Sequence, residues 1–337
     1  MEENLSHIIE QLSRLYKNWS GSEPEKLVQL PNSGSARVYF RFKSYNQSAL
    51  GVYNTNHIEN IAFIKFTEHF LKHSIHVPQI YSHDLTNNIY LIEDLGDTQL
   101  LSWLNETRTN NDFPEKAVGI YKVVLKNLLD IQITAGKDID YSYCYPFKSF
   151  DKEAIIYDLN YFKVNFIESL NINYNSSKLQ NDFEYLANYL LKADSNFFMY
   201  RDFQARNILL KNNIPYYIDY QGGRKGALQY DLVSLLYQAK ADIPESIKLN
   251  LLHFYIEEVN KVIRINNDEF IEYYYGFTLL RILQTLGAYG LRGLKEGKKH
   301  FIESIPIATK NIKSLIGNTE IIKNTPELKS VINNLND

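Results

Sequence analysis

The stretch Met199-Tyr200-Arg201-Asp202-Phe203-Gln204-Ala205-Arg206-Asn207, followed by Tyr217-Ile218-Asp219-Tyr220-Gln221-Gly222, sets three oxygen-bearing side chains at fixed intervals. Asn207 lies five positions after Asp202, and Asp219 seventeen positions after it. Between them, Ile208-Leu209-Leu210 and Pro215-Tyr216-Tyr217-Ile218 read as two short strands around Lys211-Asn212-Asn213. Phosphoryl transfer needs positioning and charge neutralisation more than covalent help. Asp202 is suited to accept the proton of an attacking hydroxyl. Asn207 offers Mg²⁺ a neutral oxygen and Asp219 a charged one, the hard donors that this ion prefers. An isolated Asp at position 202 would read as a helix N-cap. The full pattern of Asp, Asn, strand, turn, strand and Asp does not reduce to capping.

The composition is consistent with this chemistry and excludes several others. A chain of 337 residues has room for two lobes with sizeable cores. With 45% apolar and 22% charged residues it reads as an ordinary globular protein. A formal net charge of −3 provides no basic field, so no nucleic acid is expected as partner. No run approaches the ~20 apolar residues of a membrane span. Met1-Glu2-Glu3-Asn4 is acidic, unlike the start of a signal peptide. The single cysteine, Cys144, excludes an intrachain disulfide and a Cys-based zinc site. The expected setting is the cytoplasm. The eight histidines form no metal-like cluster in the sequence; His69 and His73 are helix neighbours without an apparent third ligand.

Outward from the motif, the chain divides in two. Residues 4–19 carry Leu5, Ile8, Ile9, Leu12, Leu15 and Tyr16 at helical spacing. Leu27–Leu30, Val38–Phe42 and Ala49–Tyr53 read as strands, the second alternating Val38, Phe40 and Phe42 with Tyr39, Arg41 and Lys43. The turn Pro31-Asn32-Ser33-Gly34-Ser35 joins the first two. Residues 59–73 form a helix with Phe63, Phe66, Phe70 and Leu71 on one face. Val77–Tyr81 and Asn88–Gly96 read as loop, strand and strand end, closing on an acidic turn. Beyond Thr98 the pattern is helical, over 115–134, 150–171, 181–193, 231–236, 245–264, 268–294 and 300–316. A loosely attached last helix follows Gly317. Asp231 precedes the helix at 231–236, and either caps it or braces the loop at Arg201. Gly222-Gly223-Arg224-Lys225-Gly226 is either a mobile basic segment facing the site or a solvated turn.

These motifs resemble the aminoglycoside phosphotransferase/choline kinase superfamily. The resemblance rests on Gly34–Arg41, Val77-Pro78 with Ile92–Asp97, Tyr200–Asn207, Ile218–Gln221, Tyr230–Leu236, and Gly276–Arg281 through Gly287. Within it the chain is most similar to bacterial cell-wall-recycling kinases that phosphorylate the anomeric hydroxyl of N-acetylmuramate and N-acetylglucosamine. The resemblance implies an α+β, bilobal, protein-kinase-like fold: a small N-terminal lobe with an antiparallel sheet (1–97) and a larger, mostly helical C-terminal lobe (98–337). It implies ATP and Mg²⁺ as cofactors, Asp202 as catalytic base, and Asn207 and Asp219 as metal ligands. Gly34, Ser35 and Arg37 would approach the phosphates, and Glu93 and Leu95 the adenine. Asp158, Arg224 and Arg281 are the candidates for acceptor binding. The partner would be a small-molecule hydroxyl acceptor, and the protein a monomer.

One departure is evident. Most kinases carry a third-strand Lys that pairs with a helix Glu, whereas Ala49–Tyr53 has none. Glu59 or Glu68 would then lack its usual partner, with Arg37, Arg41 or Lys43 as substitutes for the cation. Two alternatives to the amino-sugar kinase follow. One is a phosphotransferase for aminoglycosides or another small alcohol; a polycationic acceptor calls for a carboxylate-lined pocket. The other, motivated by the absent Lys, is a non-catalytic nucleotide-binding regulator. The twelve residues from Asp219 to Asp231 leave no room for a long activation segment, so a protein substrate is not expected.

Overall fold

A computed structural model describes residues 2–31, 37–45, 47–109, 112–316 and 320–335. Gly34 and Ser35 lie outside the described residues. The N-terminal part is a five-stranded antiparallel sheet of β1 (Lys26–Gln29), β2 (Val38–Lys43), β3 (Ser48–Tyr53), β4 (Ile80–Asp84) and β5 (Ile89–Glu93), in the order β1-β2-β3-β5-β4. Side chains alternate between the faces, as the period of a strand requires. Phe40, Phe42, Ala49, Ile89 and Leu91 face α1 (Glu2–Ser20), which buries Ile8, Leu12 and Tyr16 against them. Val52, Tyr90 and Ile92 belong to the main core, together with Phe63, Phe66 and Phe70 of α2 (His57–Lys72). Gly51 lets α1 approach: a Cβ there would stand 2.6 Å from the Phe42 ring and 3.1 Å from Leu12.

The rest is mostly helical, so the expected α+β architecture is the one observed. After α3 (Leu100–Thr107) and α4 (Glu115–Leu129) come α5 (Lys152–Phe162) and α6 (Ser176–Leu190). Four short strands follow, β6 (Phe197–Met199), β7 (Ile208–Lys211), β8 (Ile214–Tyr217) and β9 (Arg224–Gly226). Then come α7 (Leu228–Leu236), α8 (Glu245–Val262) and α9 (Asn267–Tyr289), which packs against α5, α7 and α11 (Ile305–Ile316). The single helix expected over 268–294 is α-helical only to Tyr289, then winds as a π-helix through Lys295. At Gly290 its backbone abuts the carbonyl of Asn165, itself in a π-helical turn; a Cβ on Gly290 would stand 2.0 Å from that oxygen.

Three expectations are corrected. Gly222–Gly226 is neither mobile nor a solvated turn. Its second half is β9, paired with β6 by Phe197↔Gly226, Phe198↔Lys225 and Met199↔Arg224. Gly223, Arg224 and Gly226 are buried. Asp231 does not precede α7 but sits within its first turn, behind the N-cap Ala227. The last helix, α12 (Pro326–Asn333), is not loosely attached. It buries Leu328, Val331 and Ile332 completely, and the Leu328 N–H, an orphan donor of its first turn, is taken at 2.8 Å by the Asp182 carboxylate on α6. Leu328→Ala is therefore expected to cost about 2–4 kcal/mol in urea unfolding; a loss under ~0.5 kcal/mol would be typical of a surface position.

Candidate active site

β6 delivers the chain to Tyr200-Arg201-Asp202, where Arg201 takes a left-handed backbone (φ 83°). That conformation costs a non-glycine residue of order 1 kcal/mol and needs an external hold. Asp231 provides it. One carboxylate oxygen accepts from the Tyr200 N–H at 2.7 Å and from Gln132 Nε2 at 2.8 Å; the other accepts from the Arg201 N–H at 2.9 Å. Tyr255 O–H in turn donates to Gln132 Oε1. Of the two readings of Asp231, the brace acting through backbone N–H groups is the one present. Burial pushes the Asp231 carboxyl up to about 7, and the three donors and Arg281 act against that rise.

The catalytic candidates come together around this loop. Asn207 closes the 3₁₀ turn Ala205–Asn207, and its Nδ2 donates to the Asp202 carbonyl at 2.9 Å and to Asp219 Oδ2 at 3.3 Å. The amide oxygen is left for a cation. β7 and β8 join through Asn212 and Asn213, both left-handed (φ 53° and 62°), as a two-residue hairpin turn of the mirror-image type requires. The hairpin returns the chain to Asp219, also left-handed (φ 72°). Asp219 accepts from Gln221 Nε2 at 2.7 Å and pairs with Arg37 Nη1 at 3.4 Å.

Arg37 resolves the missing-Lys question. It is buried, and its Nη2 lies 2.9 Å from Glu59 Oε1 in the first turn of α2. Glu59 therefore has a cationic partner, the first of the three substitutes named above, supplied just ahead of β2 rather than from β3. Glu59 is itself held by Asn54 Nδ2 at 2.9 Å, while the Asn56 side chain caps the helix. Arg41 is committed elsewhere: its Nε and Nη2 stand 2.9 Å from Asp94 and 2.7 Å from Asp97. Lys43 ends β2 exposed, and Glu68 pairs with Lys65 on the same helix. At the junction after β5, Glu93 receives Lys211 Nζ of β7 at 2.5 Å, and Leu95 is buried.

The two aspartates are driven in opposite directions. Burial would raise the Asp202 carboxyl, but Arg281, Arg206, Arg201 and Arg224 together hold it below its ordinary value. At Asp219, burial and the nearby Asp202 push the carboxyl up despite Arg37 and Gln221. Separated pKa values are the mark of carboxylates with different tasks. Asp202 keeps 41% of its side chain exposed, and Arg281 Nη2 contacts it at 3.1 Å. Arg281, buried on α9, is oriented by Ser234 Oγ at 2.8 Å and by Gln284.

Asp202 and Arg281 line a cavity of about 550 Å³, together with Arg206, Lys240, Lys298 and His300. Among the described residues Asp202 is the only acidic one on its walls. Burial and the neighbouring Lys240 and Lys298 hold His300 below its ordinary pKa. Of the acceptor candidates, only Arg281 borders this space. Asp158 is buried in an ion pair with Arg201 Nη2 at 2.6 Å. Arg224 is buried over the Phe147 ring, its guanidinium bonded to the Gly222 carbonyl; burial and Arg201 lower it to about 10. Arg206, Lys240 and His300 escaped notice in the sequence. They come from separate segments, and only the fold shows that they share a wall.

No family model matches the chain. Among curated proteins it is similar to the N-acetylmuramate/N-acetylglucosamine kinase of Neisseria meningitidis serogroup B, 24% identical over 239 residues, covering 69% of this chain and 68% of the relative. The protein of that name from Pseudomonas putida is 21% identical over 318 residues, 91% of this chain and 89% of the relative. Among solved structures, choline kinase from Cryptosporidium parvum superposes with a TM-score of 0.60 at 14% identity, covering 92% of this chain and 93% of the other. ADP-bound aminoglycoside phosphotransferase APH(2'')-Ib does so with a TM-score of 0.55 at 14% identity, covering 91% and 97%. The fold is thus that of the phosphotransferases which the motifs resemble, and the named relatives are kinases, so the expected class of enzyme is met.

The raised Asp219 carboxyl has a definite sign. The folded protein holds this proton to higher pH than the unfolded chain, so Asp219 lowers stability as pH rises from the ordinary carboxylate range through its raised value. Asp219→Asn should raise the thermal midpoint at pH 7 relative to wild type and abolish turnover; a lowered midpoint would contradict this account.

Proposed function

We propose that the chain transfers the γ-phosphoryl group of ATP to a hydroxyl of a small molecule, and specifically to the anomeric hydroxyl of an N-acetylated amino sugar of the muramate/glucosamine type. The observation that carries the general reading is that Asn207 joins Asp202 and Asp219 through its side-chain amide, with Asp202 on the wall of a cavity. The sugar is supported by the printed names of the relatives and by the charge of the walls. Four cationic side chains (Arg206, Lys240, Arg281, Lys298) face one carboxylate. Such walls suit an acceptor with an acidic substituent and oppose a polycationic aminoglycoside. The regulator reading loses its motive, because Arg37 occupies the place of the absent Lys beside Glu59.

The donor set fits Mg²⁺: a carboxylate and an amide carbonyl, both hard oxygens. Asp219 and Asn207 would hold such an ion, which would supply charge neutralisation for the phosphates. The chain's own residues do the rest. Asp202, kept ionised by Arg281 and its other cationic neighbours, accepts the acceptor hydroxyl's proton. The freed oxygen bonds to the γ-phosphorus as the bond to the β-phosphate oxygen breaks, and ADP leaves. Asp231 fixes the peptide that carries Asp202, and Arg37 sets the position of Asp219. Residues 1–97 would hold ATP and 98–337 the acceptor, with the catalytic loop at their junction.

Mg²⁺-dependent ADP release should rise with N-acetylmuramate or N-acetylglucosamine, and Asp202→Ala should lower kcat by about 10²–10⁴. If neither sugar lifts turnover above background while another alcohol does, the substrate assignment fails and the kinase reading stands. Lys240→Glu should raise KM for N-acetylmuramate about tenfold, a change worth ~1.4 kcal/mol, and leave that for neutral N-acetylglucosamine nearly unchanged. Equal effects on both would remove Lys240 from acid recognition.

A further inference from the structure

Away from the cavity, α2 and the turn after α4 bring together three groups that the sequence leaves apart. His69 and His73 lie one turn apart at the C-terminal end of α2, and Asp138 comes from the turn that follows the π-helical Asp130–Ala135. One nitrogen of each ring and one Asp138 oxygen all lie within 4.8 Å of one another. His73 Nε2 is 3.1 Å and His69 Nε2 3.8 Å from Asp138 Oδ1. The third ligand that could not be found by spacing along the chain is thus supplied by the fold.

The hydrogen bonds of the rings are informative. His73 Nδ1 lies 3.0 Å from the His69 carbonyl oxygen, which only accepts, so Nδ1 carries the hydrogen. In the neutral ring Nε2 is then a bare lone pair, directed within 3.1 Å of a carboxylate oxygen. A lone pair and a carboxylate at that separation are reconciled by a proton, as in an imidazolium–carboxylate pair, or by a metal cation. The other nitrogen of a metal-binding His is commonly fixed by a backbone carbonyl in this way. His69 Nε2 donates to the Ala135 carbonyl at 2.7 Å, which anchors its ring to the second segment and leaves Nδ1 as the nitrogen with a lone pair for an ion. Ligands about 2.0–2.1 Å from a tetrahedral zinc ion stand roughly 3.3–3.5 Å apart. Small adjustments of three side chains reach that spacing.

We propose that His69, His73 and Asp138 form a site for a single divalent transition ion of the zinc type, with a fourth, open position for water. Two imidazoles and one carboxylate select against Mg²⁺ and Ca²⁺, which take all-oxygen shells. All three side chains are partly exposed, Asp138 by 58%, so an ion has a path to them. An ion here pins the end of α2 to the turn after α4. The first turn of the same helix carries Glu59, the partner of Arg37.

The test uses the purified, chelator-treated full chain titrated with ZnCl₂, and separately with CoCl₂, whose visible absorption intensifies in tetrahedral surroundings. One equivalent should bind, with a rise in thermal midpoint. His73→Ala and Asp138→Ala should each weaken binding at least tenfold, while Asp219→Asn, which alters the other candidate ion site, should bind as wild type does. The proposal is overturned if no stoichiometric binding occurs, since the trio is then an ordinary histidine–carboxylate pair. It is overturned equally if Asp219→Asn abolishes binding or if both ligand variants bind like wild type.

Discussion

Two peptide N–H groups and one buried carboxylate hold this molecule's chemistry in place. Tyr200 and Arg201 would otherwise relax from a backbone that Arg201 adopts only with strain, and Asp202 would move with them. Asp231 is fully buried, so losing either donor would leave its charge less well compensated in a low-dielectric interior. The Arg201 side chain leaves in another direction, to Asp158 and against the rings of Phe150 and Tyr230. Backbone and side chain of one residue are thus fastened to three different elements, α5, α7 and the Phe150 turn. The β7–β8 hairpin then needs only a short, stiff turn to bring Asp219 back beside Asn207.

Around this frame the charges are arranged in sequence. Arg281 keeps Asp202 ionised and turned to the cavity; Arg37 stands beyond Asp219, between it and Glu59. The two carboxylates are close enough to raise one of them, and they differ because the cations are shared unequally. Four positive side chains on the far side of Asp202 extend the asymmetry into the cavity. On the proposed function, such walls would favour a neutral or acidic acceptor over a polyamine.

Much of this was legible along the chain, and the failures have a common cause. The amphipathic periods of α1, α2 and the late helices, the alternation in β2, and the spacing of Asp202, Asn207 and Asp219 are local signals. The structure places them as those signals imply. What could not be read depends on contacts between distant segments. Of the three substitutes that the chain offers for the third-strand Lys, only the fold singles out Arg37, by setting it against Glu59 on α2. Capping and bracing are both open for Asp231 in the sequence, and only the fold, which sets it against peptide groups thirty residues earlier, selects the brace. The glycines at 222, 223 and 226 suggested mobility, but two of them serve close packing: a Cβ on Gly223 would meet the Phe198 ring, and one on Gly226 would meet Met199. The last helix looked dispensable because its seat on α6 is set by Asp182, far away in sequence.

The Arg37–Asp219 contact carries a consequence for ligand binding. Asp219 has a counterion in Arg37, which Glu59 anchors on its other side. On the proposed function, a divalent cation at Asp219 would compete with the guanidinium for the same carboxylate. The Arg37 donors would then be turned toward the phosphates that the cation accompanies, so that binding of the ion and of the nucleotide would be coupled through one arginine.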